Sequence, residues 1–328
     1  MINYLRELIK IPSVSGAEGK IADYIKGEME KYFDTCETDN LGNLVCRKKG
    51  EGKRLAFCAH MDEIGFIVTT IDDKGYIHFA TVGGINFAAA AYSNVVFANG
   101  LRGIMVPEDG LKGADYAAER FAVDIGAKSK KQAERYVKTG DTFVVEPSYT
   151  RLKGGKVCGR AFDDKIGCAI LMAAARNAAE FKNDVSFIFS TQEEVGIRGA
   201  RVAAFNSRPD YAVAIDVTLA GEAYGAKPAT VSMGGGAAVK YKDASVICDG
   251  AFVRKMEAIA DEAGISHQAD IISRGGTDTA AFQITGSGAV VGGISIPMHY
   301  MHTAVETFEI SDAEACRDLV VAIAKSEL

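Results

Sequence analysis

Apolar positions along the chain fall into two rhythms. From Ser15 to Phe33 (SGAEGKIADYIKGEMEKYF), Ile21, Tyr24, Ile25, Met29, Tyr32 and Phe33 share one helical face. This spacing predicts an amphipathic helix, with Ser15 and Glu18 at capping-box spacing. NLVCRKKG and RLAFCAH follow as strands. A second helix is expected from near Asp164 through KIGCAILMAAARNAAE, small and apolar almost throughout, as suits a helix buried against a sheet. The closing SDAEACRDLVVAIAKSEL predicts a third, with a capping box at Ser311 and Glu314.

Four strand candidates end alike. RLAFCAH runs into His60, DVSFIFSTQ into Glu193 and Glu194, YAVAI into Asp216, and GAVVGGISIP leads to His299 and His302. Helices lie between them, so the pattern is α/β, and fully apolar strands suit a sheet covered on both faces. Ligands of such sheets bind beyond the carboxyl ends of the strands. Between about Phe66 and Gly155 the rhythm changes to short alternating segments separated by Gly, Asn-Gly and Asp-Lys-Gly turns. The expected organisation is a catalytic α/β domain over 1–65 and 156–328, with a small β-rich domain inserted at 66–155.

Composition narrows the function classes. Hydrophobic content of 48% with 24% charged residues is that of a soluble globular chain, and no window approaches a membrane span. MINYLRELIKIPS has no signal-peptide pattern, so a cytoplasmic location is expected. The seven cysteines are scattered and none has C-x-x-C spacing, so neither a disulfide framework nor a thiolate zinc site is indicated. Net charge −6 offers no basic stripe for nucleic acid, and KSKKQAERYVK reads as a solvated helix face.

Five positions carry the ligand types of a hard-to-borderline metal: His60, Asp163, Glu194, Asp216 and His302. Each alone has an ordinary explanation, since an Asp caps helices and turns chains, and a His at a strand end is commonly a surface or core residue. All five at one edge of one expected sheet make a pattern those explanations do not cover. Five ligands crowd a single catalytic ion but serve two, with a carboxylate bridging ions ~3.5–4 Å apart. The adjacent Glu193 and Glu194 then divide the work. One ligates; the other is the general base that takes a proton from the metal-activated water and passes it to the leaving amine. The alternation leaves the two roles unassigned.

The segments AHMDEIGF (around His60), AFDDKIGC, STQEEVGIRGA, AIDV, GGTDTAAF and MHYMHTAVE occur in this order. Together they resemble the glutamyl-aminopeptidase/cellulase-M family of dinuclear metallopeptidases, the tetrahedral aminopeptidases, over essentially the whole chain. The resemblance implies a zinc-aminopeptidase-like fold, a central mixed sheet with helices on both faces and a barrel-like insert that mediates assembly. It implies two divalent ions per subunit, zinc or cobalt, and removal of N-terminal residues from short peptides. His60 would bind one ion, with Asp62 orienting it. Asp163 would bridge, Glu193 would be the general acid/base, Glu194 a ligand, and Asp216 and His302 would complete the shells. Self-association from dimer to dodecamer is also implied, with neither nucleic acid nor membrane as partner.

Three departures stand out. His299 occupies the family's arginine position, three residues before His302, which fills the family's ligand place. The loop MGGGAA lacks the proline common after its last glycine, and ATVGGINFAAAAYSNVVFANG is unusually rich in alanine. His78 and His267 have no partner pattern and are read as structural. The alternative activities are a dinuclear-metal deacylase of N-acyl amino acids and an endoglucanase-type glycosidase. The latter needs two carboxylates and no metal, which leaves His60 and His302 unexplained.

Overall fold

The computed structural model describes residues 1–328 apart from Ala114. Its large sheet is mixed and is built around four parallel strands in the order Asp184–Ser190, Arg54–His60, Tyr211–Leu219 and Val290–His299. These are the four apolar runs of the sequence, and the α/β expectation holds. Antiparallel strands extend the sheet on both sides. The hairpin Thr35–Thr38 and Leu44–Lys48 lies beside Asp184–Ser190; Glu306–Glu309, Lys156–Gly159 and Tyr149–Arg151 continue beyond Val290–His299.

Helix Phe162–Ala174 is buried at every residue, packed on the two central strands Arg54–His60 and Tyr211–Leu219 and covered by the C-terminal helix Ile310–Lys325. Small side chains allow that double contact, because alanine and glycine bring backbones close without leaving voids. The first expected helix is shorter than its pattern suggests, Gly19–Met29, and follows a short helix Ile2–Leu8. Its expected capping box does not form. The Ser15 hydroxyl donates to Asp62 Oδ2 at 2.7 Å, and Glu18 Oε1 accepts from the Gly16 and Gln192 amides. The C-terminal box is also absent, since Ser311 lies inside the helix and its hydroxyl donates to Glu309. In the first case tertiary partners outcompete the local cap; in the second the helix already begins at Ile310, and Ser311 bonds its neighbour Glu309.

The inserted segment closes into a six-stranded barrel, from Gly65–Ile71 and Ile77–Val82 through to Thr142–Val145. It has its own core, in which Phe143 stacks on Phe66 and meets Phe79 edge-on, with centroids 4.9 and 5.4 Å apart. Each buried phenylalanine stabilises the barrel by roughly 1.5–3 kcal/mol. Tyr149–Arg151, grouped with the insert on its sequence pattern, pairs instead in the large sheet. The basic run gives a single short helix, Lys130–Ala133, with exposed lysines. No helix among the described residues is long and apolar enough to cross a membrane.

Candidate active site

Parallel strands in register bring their carboxyl ends to one edge. Ser190 pairs with His60, and Asp216 with Ser295 on the neighbouring strand. Side chains from three further turns converge on this edge, and each turn holds a non-glycine residue in the left-handed region: Ala161 (φ 59°), Gln192 (φ 55°) and His302 (φ 61°). Such conformations cost of order 1–3 kcal/mol and persist where surrounding contacts over-determine them. Those contacts are visible here.

Asp62 fixes the paired glutamates. Its two oxygens accept the backbone amides of Glu193 (2.9 Å) and Glu194 (3.2 Å). Glu306 does the same for the other turns: Oε2 accepts from the amides of Phe162 (2.6 Å) and Asp163 (3.2 Å), and Oε1 from that of His302 (3.0 Å). The sequence reading included Glu306 only as the end of a motif. Neither its spacing nor its neighbours in the strand Glu306–Glu309 marked it for a role of its own. Asp164, second of the acid pair, turns away from the cluster and accepts from the amides of His60 (3.2 Å) and Gly167 (3.0 Å).

The five expected ligand positions come together in two groups that share one member. His60, Asp163 and Asp216 each offer one ligand atom within 4.8 Å of the others, and Asp163, Glu194 and His302 do likewise. His60 Nε2 is 3.3 Å from Asp163 Oδ1, while His302 Nε2 is 3.2 Å from Asp163 Oδ2 and 3.6 Å from Glu194 Oε2. One carboxylate therefore faces both imidazoles, one oxygen to each. Glu193 belongs to neither group.

Both rings are held in the tautomer a metal ligand needs. Nδ1 of His60 lies 3.1 Å from the Asp62 carbonyl, and Nδ1 of His302 lies 3.2 Å from the Gly84 carbonyl. A carbonyl only accepts, so each Nδ1 carries the hydrogen and each Nε2 presents its lone pair to the cluster when the ring is neutral. Gly84 lies in the inserted segment, which thus reaches the site. The Gly83–Gly84 pair packs tightly there: a Cβ on Gly83 would meet Ile64 at 2.7 Å, and one on Gly84 would meet His302 Nδ1 at 3.4 Å. The sequence reading did not single out this Gly-Gly.

Electrostatics describe a site short of positive charge. Burial, reinforced by repulsion from Asp163, pushes the Glu194 carboxyl up to about 8. Burial also pushes Asp216 up to about 7, with Asp163 adding to it against the opposing pull of His60. Glu193 is raised well above its ordinary value, again first by burial. Only Asp163 moves down: burial opposes its ionisation, but the imidazoles of His302 and His60 outweigh it. Arg160 and Lys165, either side of the acid pair in sequence, both pair with Glu63 and leave this excess uncompensated. Imidazole nitrogens and carboxylate oxygens without thiolate, in a pocket that resists ionising its own acids, fit divalent cations.

The remaining histidines stand apart. His299 Nε2 is 3.3 Å from Glu222 Oε1 without hydrogen-bond geometry and joins neither group. His78 faces Asp72 on the barrel at 3.7 Å, and His267 Nδ1 contacts the Ile265 carbonyl. In the MGGGAA loop, the Gly234 and Gly236 amides donate to Asp312 of the last helix at 2.7 and 2.8 Å.

Residues 42–319 match the M42 glutamyl aminopeptidase family. The chain belongs to that family. It is a hydrolase of peptide bonds. A protein of Acetivibrio thermocellus with the provisional name of an aminopeptidase is 39% identical over 324 residues, covering 98% of this chain and 97% of its own. The TET aminopeptidase from the marine sediment archaeon Thaumarchaeota archaeon SCGC AB-539-E09 superposes with a TM-score of 0.94 at 31% identity, over 100% of this chain and 96% of that one. The TET1 peptidase of Pyrococcus horikoshii, which can assemble into a tetrahedron or a large octahedral shell, superposes with a TM-score of 0.87 at 32% identity over 98% of each chain. These matches extend across the barrel insert as well as the sheet.

Proposed function

We propose that this M42 hydrolase is a two-metal aminopeptidase that removes N-terminal residues from short peptides, with Glu193 as its proton carrier. The observation that carries this reading is the division of the paired glutamates. Glu194 offers an oxygen to the group of Asp163 and His302, whereas Glu193, held by the same Asp62, stays outside both groups. His60, Asp163 and Asp216 would hold one ion, and Asp163, Glu194 and His302 the other. Divalent cations bound there supply Lewis acidity to a carbonyl oxygen and to water. Glu193 takes the proton released as water adds to the carbonyl carbon and returns it to the departing amine nitrogen. Burial favours the protonated form needed for the second half of that cycle. Asp62 keeps the carrier in reach by fixing the backbone of both glutamates.

Zinc and cobalt suit the donor set. Assembly from dimer towards dodecamer is part of the same proposal, with the barrel as a contact surface; Tyr92 and Tyr136 stand exposed on it. The test is hydrolysis of aminoacyl anilides by protein reconstituted with zinc, cobalt or manganese. Glu193→Gln should keep its metal content and lose about 10²–10⁴-fold in kcat. Full activity in that variant would remove Glu193 from the mechanism. Preference for N-acetylated over free-amine substrates would instead identify a deacylase, and chelator-insensitive release of sugar from cellulose a glycosidase.

A further inference from the structure

The hairpin Thr35–Thr38 and Leu44–Lys48, at the edge of the large sheet, places two thiols opposite each other. Cys36 and Cys46 are direct partners in its register. The phase of the ladder is set at the turn, where the Asp39 amide donates to the Asn43 carbonyl at 3.0 Å. That pair is hydrogen-bonded, and hydrogen-bonded and open pairs alternate along an antiparallel ladder. Cys36 and Cys46 lie three residues out on each strand and so form an open pair. There the Cα atoms are about 4.5 Å apart and the side chains lie closest, within the span a disulfide bridges.

The two thiols differ in access. Thr35–Thr38 is the terminal strand, with one flank unpaired, and Cys36 is half-buried on it, while Cys46 is buried beside Phe187 on the next strand. Hydrogen bonding from the Cys46 thiol holds Cys36 below its ordinary pKa against the effect of burial. The pair therefore combines a reachable nucleophile with a shielded second thiol, the arrangement of an attacking and a resolving cysteine.

We propose that Cys36 and Cys46 form a reversible intramolecular disulfide on exposure to a small-molecule disulfide. The Cys36 thiolate attacks one sulfur of the oxidant, forming a mixed disulfide and expelling the first small thiolate. Cys46 then gives up its proton and attacks the Cys36 sulfur, forming the protein disulfide and expelling the second. Two protein thiols are oxidised and one small disulfide is reduced to two thiols. The crosslink closes the hairpin that carries Asn43. That side chain accepts from the Thr191 amide (2.9 Å) and donates to the Gly199 carbonyl (3.0 Å), bracketing the loop of Glu193 and Glu194. Oxidation thereby staples the support behind the active-site loop.

The experiment uses the full-length protein in oxidised/reduced glutathione buffers, with acid quench, alkylation under denaturing conditions and non-reducing peptide mapping. The expected result is that Cys36 and Cys46, of the seven cysteines, become unavailable to alkylation. One crosslinked peptide pair containing Cys36 and Cys46 should appear, and dithiothreitol should reverse both changes. Cys158 is the internal control, half-buried but facing Thr150 and Thr307 across its two neighbouring strands, so it should give only a glutathione adduct. In Cys36→Ser, Cys46 should stay fully alkylatable. The proposal is overturned if both thiols remain free, if Cys36 ends as a stable glutathione adduct beside a free Cys46, or if Cys46 is lost in the serine variant.

Discussion

The two halves of the metal-type cluster share Asp163 but are built by different means. The half with His60 and Asp216 is buried throughout and rests on two hydrogen-bonded parallel strands. The half with Glu194 and His302 is less buried, and His302 keeps about a third of its side-chain surface exposed. Both of its own members sit on turns, held by carboxylates from elsewhere and by a carbonyl of the insert. A strand end inherits its position from the whole sheet, whereas a turn residue depends on a few specific bonds. The first half should therefore tolerate local damage, and the second should respond to it.

The largest effect is expected where the halves meet. Asp163→Asn removes the charge that both imidazoles face and leaves an amide NH₂ turned towards one of them. Metal analysis of the purified variant should find both ions lost and peptidase activity at background. Retention of one ion at full occupancy would show that the halves do not depend on a common ligand. Glu306→Gln comes next. A glutamine can still accept from Phe162 and Asp163 with its carbonyl, but its NH₂ then opposes the His302 amide, donor against donor. Loss of such an outer partner typically costs about 10–100-fold in metal affinity or activity. The loss should fall on one ion: competitive chelator titration should yield one weakened site and one unchanged site. Equal weakening of both would refute the contrast drawn between strand and turn.

The same contrast separates what was legible in the sequence from what was not. His60 and Asp216 announce themselves because an apolar run that ends in an ionisable residue is visible without knowing the fold. Glu193 and Glu194 were legible as a pair for the same reason, and their order came only with the motif resemblance. Glu306 and Gly84 act through backbone atoms brought near by the fold, so neither their spacing nor their type marked them. The capping box that fails at Ser15 has a related cause. Ser15 and Glu18 satisfy a local rule, but Asp62 and the Gln192 amide, distant in sequence, offer partners that the local pattern cannot register.

The smallest expected effect tests the insert's share in the site. Gly84 has no left-handed backbone requirement, and an added Cβ would sit 3.4 Å from His302 Nδ1, at the edge of ordinary contact. Gly84→Ala should thus fold normally while nudging the ring whose Nδ1–H the Gly84 carbonyl orients. A few-fold weaker second ion, an unchanged first ion and an unchanged melting temperature are expected from titration and calorimetry. Gly83→Ala is the contrasting case, because its φ of +79° and a 2.7 Å approach to Ile64 strain the backbone itself. That variant should lose stability by about 1 kcal/mol or more. If Gly84→Ala lowered the melting temperature as far as Gly83→Ala does, the segment would matter for packing alone. If it weakened only the ion at His302, the barrel would be part of the catalytic apparatus and not merely a contact surface beside it.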